Sequence, residues 1–198
     1  MTRAEPVRVL VVVNDANDDA RAVAKETANA MTAAGIRVGG LASDVAAMEL
    51  DDGAAVEVLA STEVADPRRA DIAIVFGGDG TILRAAEVVA PGTPLLGINL
   101  GHVGFLAEAE REDVQFVVAA LMDRRWQVEE RTRLRLTVQR AGEVVAESWA
   151  INEVTLEKAS RERMIDVLVE VDARPLSRWG CDGVVCATPT GNMIPEDF

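Results

Sequence analysis

From Ile72 to Thr81 the chain reads Ile-Ala-Ile-Val-Phe-Gly-Gly-Asp-Gly-Thr, an apolar run that breaks into glycines and then takes up helical spacing. A continuous run of Ile, Val and Phe marks a buried strand, and Ile82, Leu83, Ala85, Ala86, Val88 and Val89 recur as they would along a helix. The glycines therefore sit in a strand-to-helix turn, where they allow positive φ and let the main chain come close to a ligand. A helix beginning near Thr81 presents unpaired N–H groups and the positive end of its dipole to an anion, so the turn suits phosphate. It matches neither the dinucleotide fingerprint G-x-G-x-x-G nor the Walker A pattern G-x-x-x-x-G-K-[ST], which points to a third kind of phosphate site. Asp79 at its centre sets it apart. A carboxylate repels phosphate unless it has a metal ion or a proton to handle, and on that ground Asp79 is the first catalytic candidate.

Other elements alternate around this one. Val7 to Val13 reads as a first buried strand, and a helix follows from about Asp19 to Ala34 with Asp18 or Asp19 as its cap and Gly35 as its stop. Ile36 to Leu41 is a second strand, a short helical pattern covers Val45 to Leu50, and Val56 to Leu59 is a further strand. Pro94 introduces a strand at Leu95 to Asn99, and Glu112 to Met122 is helical. Strands and helices alternating at this spacing predict a parallel sheet covered by helices. Asn99 to Glu108 is a second glycine-bearing loop at the carboxyl end of a strand, where ligands of open α/β sheets gather, so it and the Asp79 turn are expected to face one site. His102, the only histidine, lies in that loop and reads as structural or superficial, since no partner carboxylate can be assigned to it.

Around Trp126 the pattern changes. Arg133 to Arg140 alternates apolar and polar, Ala141-Gly142 makes a turn, and Glu143 to Ile151 alternates again, as a hairpin does. Ile165 to Val171, ended by an Asp172-Ala173-Arg174-Pro175 turn, and Val184 to Ala187 add strands. The boundary falls near residues 124 to 128, giving an α/β domain over 1–125 and a mostly β domain over 126–198. Three constellations there carry polar residues that a bare β domain does not need. Asn152-Glu153 puts an amide and a carboxylate inside apolar sequence, Asp182-Gly183 puts an acid at a strand entrance, and Thr188-Pro189-Thr190-Gly191 supplies hydroxyls and a turn. Carboxylates accept from ribose hydroxyls, and a threonine-glycine turn suits phosphate or base edges. A net charge of −13 disfavours nucleic acid and anionic membrane as partners, since both bind basic patches. No apolar run approaches the roughly 20 residues of a membrane span, and no signal-peptide pattern opens the chain, so a cytoplasmic protein is expected. Cys181 and Cys186 lack further zinc ligands nearby and read as reduced core thiols.

These residues together resemble the NAD kinase family, of the actinobacterial type. Gly77-Gly78-Asp79-Gly80-Thr81, the Asn99 to Leu106 loop, Asn152-Glu153 and the Asp182 to Gly191 stretch stand in that family's order and spacing. The first motif is shared with diacylglycerol kinase-like and phosphofructokinase-like enzymes, and the other three separate NAD kinases from them. The resemblance implies phosphorylation of the 2′-hydroxyl of the adenosine ribose of NAD to give NADP, with ATP or polyphosphate as donor and Mg²⁺ or Mn²⁺ as the divalent cation. It implies that Asp79 is the proton acceptor for that hydroxyl and that Gly80 lines the substrate beside it. It further implies dinucleotide contacts from Arg84, Asn152, Glu153, Arg163, Asp182 and Thr190, and a homo-oligomer at full length. Arg84, read as lying in the first turn of the helix, and Arg163 are the expected suppliers of local positive charge in a net acidic protein.

After Gly191 the family continues Ser-Thr-Ala-Tyr, whereas this chain reads Asn192-Met193-Ile194-Pro195-Glu196-Asp197-Phe198. The expectation is a C-terminally truncated chain with an incomplete β domain, open β-edges and little or no NADP formation. The alternative is an inactive or binding-only fragment of that family. A lipid or sugar kinase sharing only the glycine turn fits less well, because Asn152-Glu153 and the Asp182 to Gly191 stretch suit a dinucleotide.

Overall fold

Residues 5–50, 54–99, 109–110, 114–160 and 163–190 are described by the computed structural model, and the chain divides into two units, Met1–Val128 and Glu129–Phe198. In the first unit the strands are β1 (Arg8–Val13), β2 (Arg37–Leu41), β3 (Val56–Leu59), β4 (Ile72–Phe76), β5 (Leu95–Asn99) and β6 (Ala109–Glu110). All pair in parallel, in the order β3-β2-β1-β4-β5-β6. The helices are α1 (Asp18–Ala33), α2 (Ala42–Ala47), α3 (Ser61–Val64), α4 (Asp79–Val88) and α5 (Val114–Met122). Alternate side chains of the central strands go to opposite faces. Val9, Val11, Val13, Ile74 and Phe76 pack with Val23 and Met31 of α1 and Val117 and Leu121 of α5. Leu10 and Ala73 pack on the other face with Leu59, Val64 and Val89, while Val12 and Val75 meet Ile82 and Ala85 of α4. A strand with both faces covered has no polar position to spare, which is why β4, and β1 after Arg8, are unbroken apolar runs.

Strand order reverses between β1 and β4. The chain runs outward from β1 through β2 to β3, then returns to the far side of β1 as β4. At such a reversal the connections leave β1 and β4 in opposite directions and open a crevice at the strands' carboxyl ends. The glycine turn follows β4 directly and so stands at that crevice.

Several element ends differ from the sequence expectation. The cap of α1 is Asn17, not Asp18 or Asp19: its Oδ1 accepts from the Ala20 N–H at 3.0 Å, and the two acids occupy the first turn, where the helix dipole favours them. Gly35, at φ +83°, follows the helix end as expected. The helix expected over Val45 to Leu50 is α2, entered straight from β2 three residues earlier and stopped where Glu49 turns left-handed at φ +45°. The single turn α3 was not foreseen, and α4 starts at Asp79 rather than near Thr81. The loop over residues 100–108, with His102, lies outside the described residues, as do Gly191 and the tail after it.

The second unit is antiparallel. Its strands are β7 (Leu134–Arg140), β8 (Glu143–Ala150), β9 (Glu153–Glu157), β10 (Ile165–Val171), β11 (Arg174–Cys181) and β12 (Gly183–Ala187), paired β7 with β8, β9 with β12 and β10 with β11. The first hairpin turns through Ala141 and Gly142, at φ +51° and +85°. The other turns through Asp172 and Ala173, at φ +52° and +59°. Two left-handed residues in succession give the turn whose twist matches the flanking strands. Arg174 and Pro175, expected in this turn, instead begin β11. Proline is tolerated because it pairs with Glu170 where the register shifts at a bulge, a position at which its missing N–H is not needed by the ladder. Cys181 and Cys186 are free thiols but not the core residues expected, since Cys181 is half-buried and Cys186 exposed. Among the described residues no helix is long and apolar enough to cross a membrane.

The amino end of the first sheet is clasped by charge. The Arg8 backbone N–H donates to Asp71 Oδ2 at 2.8 Å and its Nη2 to Oδ1 at 3.2 Å, with Arg124 Nη2 3.8 Å from Oδ2. Burial pushes the Asp71 carboxyl up, but Arg8's side chain and backbone N–H, helped by Arg124, outweigh it and hold the carboxyl below its ordinary range. A folded-state value below the unfolded one contributes stability above the unfolded pKa, about 3.9, and loses it as pH falls through the folded value. The melting-temperature gap between the chain and Asp71→Asn is therefore expected to be full at about pH 6 and to close below about pH 4. A gap unchanged across that range would show that the carboxylate charge is not what the clasp uses.

Candidate active site

The crevice is built where β1 and β4 end. The Asn14 N–H donates to Phe76 O at 2.9 Å, tying the two strand ends together. Gly77 follows at φ +152°, and a Cβ there would lie 2.5 Å from Thr81 Oγ1 and 3.1 Å from Asn14 Cβ. Only glycine fits. At Gly78 and Gly80 a Cβ would meet nothing within 4 Å, so packing does not demand those glycines and the space above them is open. Gly78 caps α4: the Thr81 and Ile82 N–H groups donate to its carbonyl at 2.9 and 3.2 Å. Asp79 is thus the first residue of the helix rather than the middle of a turn before it. Its half-buried carboxylate stands at the positive end of α4, a placement that also favours the helix.

Arg84 lies in the second turn of α4, not the first. Its Nη2 donates to Val13 O at 2.7 Å and to Asp44 Oδ1 at 2.7 Å. Asp44, in α2 directly after β2, is 1 % exposed, and its Oδ1 also accepts from the Val13 N–H at 2.8 Å. The charge that Arg84 brings to the crevice is therefore partly engaged by a buried carboxylate. Sequence reasoning passed over both Asp44 and Asn14. The available signal was position, since each follows a strand at the carboxyl edge of the sheet, but nothing in the residue types distinguishes them from turn and surface residues.

In the second unit, β9 and β12 carry the predicted residues. Glu153 opens β9 opposite Ala187, and the Thr188 N–H donates to Asn152 O at 2.8 Å. Asn152, Glu153 and Thr188 are thereby brought to one end of the ribbon, with the half-buried Thr190 in the turn just beyond. Asn152 Oδ1 is buried with no hydrogen-bond partner among the described residues. Of the hydroxyls expected to serve a ligand, that of Thr188 donates to the Ile151 carbonyl and is structural. Asp182 is not with this group. Gly183 pairs with Glu157 at the other end, four residue steps or about 13 Å along the ribbon. There Asp182 Oδ1 accepts from Lys158 Nζ at 2.5 Å, a lysine that sequence reasoning missed. Gly183 is fixed by close approach, since a Cβ would lie 2.7 Å from the Leu156 carbonyl. Arg163 is exposed in the segment before β10.

Residues 9–126 match the ATP-NAD kinase N-terminal domain family, and residues 151–193 match the ATP-NAD kinase C-terminal domain family. The chain belongs to the NAD kinase family. It is 45% identical over 191 residues to the NAD kinase of Thermobifida fusca (strain YX), covering 93% of this chain and 58% of that protein. It is 57% identical over 128 residues to the NAD kinase of Leifsonia xyli subsp. xyli (strain CTCB07), covering 64% of this chain and 42% of that one. The chain thus spans about three fifths or less of these relatives' length. Its fold is similar to that of yeast NADH kinase complexed with NADH, with a TM-score of 0.77 at 20% identity over 96% of this chain and 60% of that one. An Archaeoglobus fulgidus NAD kinase in complex with ATP gives a TM-score of 0.59 at 23% identity over 94% and 62% of the two chains. The NAD kinase architecture, a parallel α/β sheet followed by a smaller antiparallel β region, is the fold class expected from the sequence.

Proposed function

We propose that the chain carries the machinery of an NAD kinase, phosphorylating the 2′-hydroxyl of the adenosine ribose of NAD with ATP or polyphosphate as donor. The observation that carries this reading is the switch-point turn itself: a carboxylate at the head of α4, flanked by two glycines whose faces open on empty space. The ribose 2′-oxygen attacks the terminal phosphorus of the donor, the bond from that phosphorus to its bridging oxygen breaks, and the hydroxyl proton passes to Asp79. Asp79 orients the hydroxyl as it takes the proton, and Gly80 lets the ribose lie against the backbone. Arg84 and Arg163 meet phosphate oxygens. Asn152, Glu153, Asp182 and Thr190 bind the dinucleotide, the unpartnered Oδ1 of Asn152 receiving an amide or hydroxyl donor. The hard carboxylate of Asp79 would suit Mg²⁺ or Mn²⁺ brought with the donor phosphates. That ion, when bound, neutralises charge on the transferring group. A cytoplasmic homo-oligomer completes the reading.

Calorimetry with NAD, ATP and diacylglycerol, followed by an assay for NADP, tests it. In a protein extended through the family's C-terminal part, binding of NAD and ATP with NADP formed is the expected result, with little or no NADP from the 198-residue chain. Binding without NADP points to the binding-only alternative, and binding of diacylglycerol in place of NAD to a lipid kinase. Gly80→Ala adds a finer check. The open space and helical position of Gly80 predict unchanged or slightly raised stability, by up to about 1 kcal/mol. NAD affinity is expected to fall about fivefold or more if the ribose packs there. Unchanged affinity would remove Gly80 from the site.

A further inference from the structure

Asp44 belongs to none of the motifs that mark the site, yet it is the buried end of Arg84's only ion pair among the described residues. A guanidinium carries five N–H donors in a planar fork. Both hydrogens on Nη2 are engaged, one by Val13 O and one by Asp44 Oδ1, each at 2.7 Å. Arg84 makes no other hydrogen bond among the described residues, so the three donors on Nε and Nη1 are uncommitted. The side chain is 38 % exposed, compared with 1 % for Asp44. Nη2 is pinned inside, and the donors on Nε and Nη1 are left for a ligand.

The anchor itself is rigid. Asp44 Oδ1 is fixed by the N–H of Val13, the last residue of β1, so the pair is tied to the sheet at the switch point rather than to a loop. Asp44 Oδ2 is buried without a partner among the described residues, an arrangement that burial disfavours. An untethered arginine must give up its rotamer freedom when it binds a phosphate, whereas one already ordered does not.

We propose that Asp44 is a positioning residue for dinucleotide binding: acting through Arg84, it holds Nη2 inside and presents the uncommitted Nη1 donors of the guanidinium to a phosphate oxygen of the dinucleotide. This rests on the NAD-binding reading above. Asp44→Asn keeps the side-chain volume and the acceptor for the Val13 N–H while removing the charge that holds Arg84. It is expected to melt within about 5 °C of the unmodified chain and to bind NAD about tenfold more weakly by calorimetry. In the Arg84→Lys background, where the fork is already gone, the same change should cost less than about twofold, because the two residues act as a unit. The Arg84 Nε–H resonance should report an ordered side chain by its heteronuclear relaxation in the unmodified chain, because the guanidinium is held through Nη2, and should join those of the mobile arginines in Asp44→Asn. Equal losses of affinity in both backgrounds, or an Arg84 resonance unaffected by Asp44→Asn, overturn the proposal. If the unmodified chain binds no NAD, the functional reading fails by itself, and the Arg84 resonance still decides whether Asp44 holds the guanidinium.

Discussion

In a protein that carries the family's complete C-terminal part, Asp79→Asn is expected to slow NADP formation per folded molecule by about 10²- to 10⁴-fold while NAD still binds within about tenfold of its unmodified counterpart. Phosphoryl transfer has a loose transition state in which the attacking hydroxyl loses its proton late, so orientation of that hydroxyl matters more than the strength of the base. Asparagine keeps the shape and hydrogen-bonding reach of Asp79 but cannot take the proton. The competing role is set by the structure, which makes Asp79 the first residue of α4, where a negative charge favours the helix by about 0.3 to 1 kcal/mol. Were that its whole contribution, Asp79→Asn would cost a little stability and leave turnover per folded molecule intact. Measuring kcat, NAD affinity and Tm on the same preparation separates the two. An unchanged kcat would remove the proton acceptor from this mechanism.

Gly77→Ala is expected to be the most damaging single-methyl change in the first unit, lowering stability by about 3 kcal/mol and Tm by roughly 10 °C. Two costs combine. The new Cβ would lie 2.5 Å from Thr81 Oγ1 and 3.0 Å from Thr81 Cβ, and Thr81 is buried, so it has little room to yield. The backbone also sits at φ +152°, which side chains rarely adopt. Gly78 and Gly80, a few residues on, have neither constraint in packing, so one short motif contains glycines kept for opposite reasons. Thermal unfolding of Gly77→Ala beside Gly80→Ala exposes the difference: a Gly77→Ala protein as stable as its parent would mean that the turn relaxes and the crevice is not rigid.

The turn at residues 77–81 was legible because three independent signals follow one another over residues 72–89: a strand with no polar position, glycines, and helical spacing. The start of α4 was misplaced by two residues because glycine and aspartate read as turn formers, yet Gly78 caps the helix and Asp79 lies inside it. A similar misreading hid β11. Arg174-Pro175 carries turn chemistry, and only pairing with Glu170 at a bulge makes proline acceptable in a strand. In the hairpin β7–β8 the same local logic succeeded, since the left-handed pair Ala141-Gly142 lies between strands that alternate cleanly.

The sequence by itself determined the strands buried on both faces, the parallel α/β class, the antiparallel pattern after Trp126 and the family, because each depends on local periodicity or on motifs of a few adjacent residues. Tertiary structure decided which residues share a site. Asp44 and Arg84 are 40 positions apart, and meet only because β2 and β4 flank β1 and deliver α2 and α4 to the carboxyl edge of one sheet. For Asp182 and Asn152, antiparallel register sets the two at opposite ends of the β9–β12 ribbon, about 13 Å apart, and pairs Asp182 with Lys158, so one ligand must span that distance to meet both. A one-dimensional pattern records what each residue faces along its own element. Strand order and register are set by burial summed over the whole sheet, and no short stretch of sequence carries that sum.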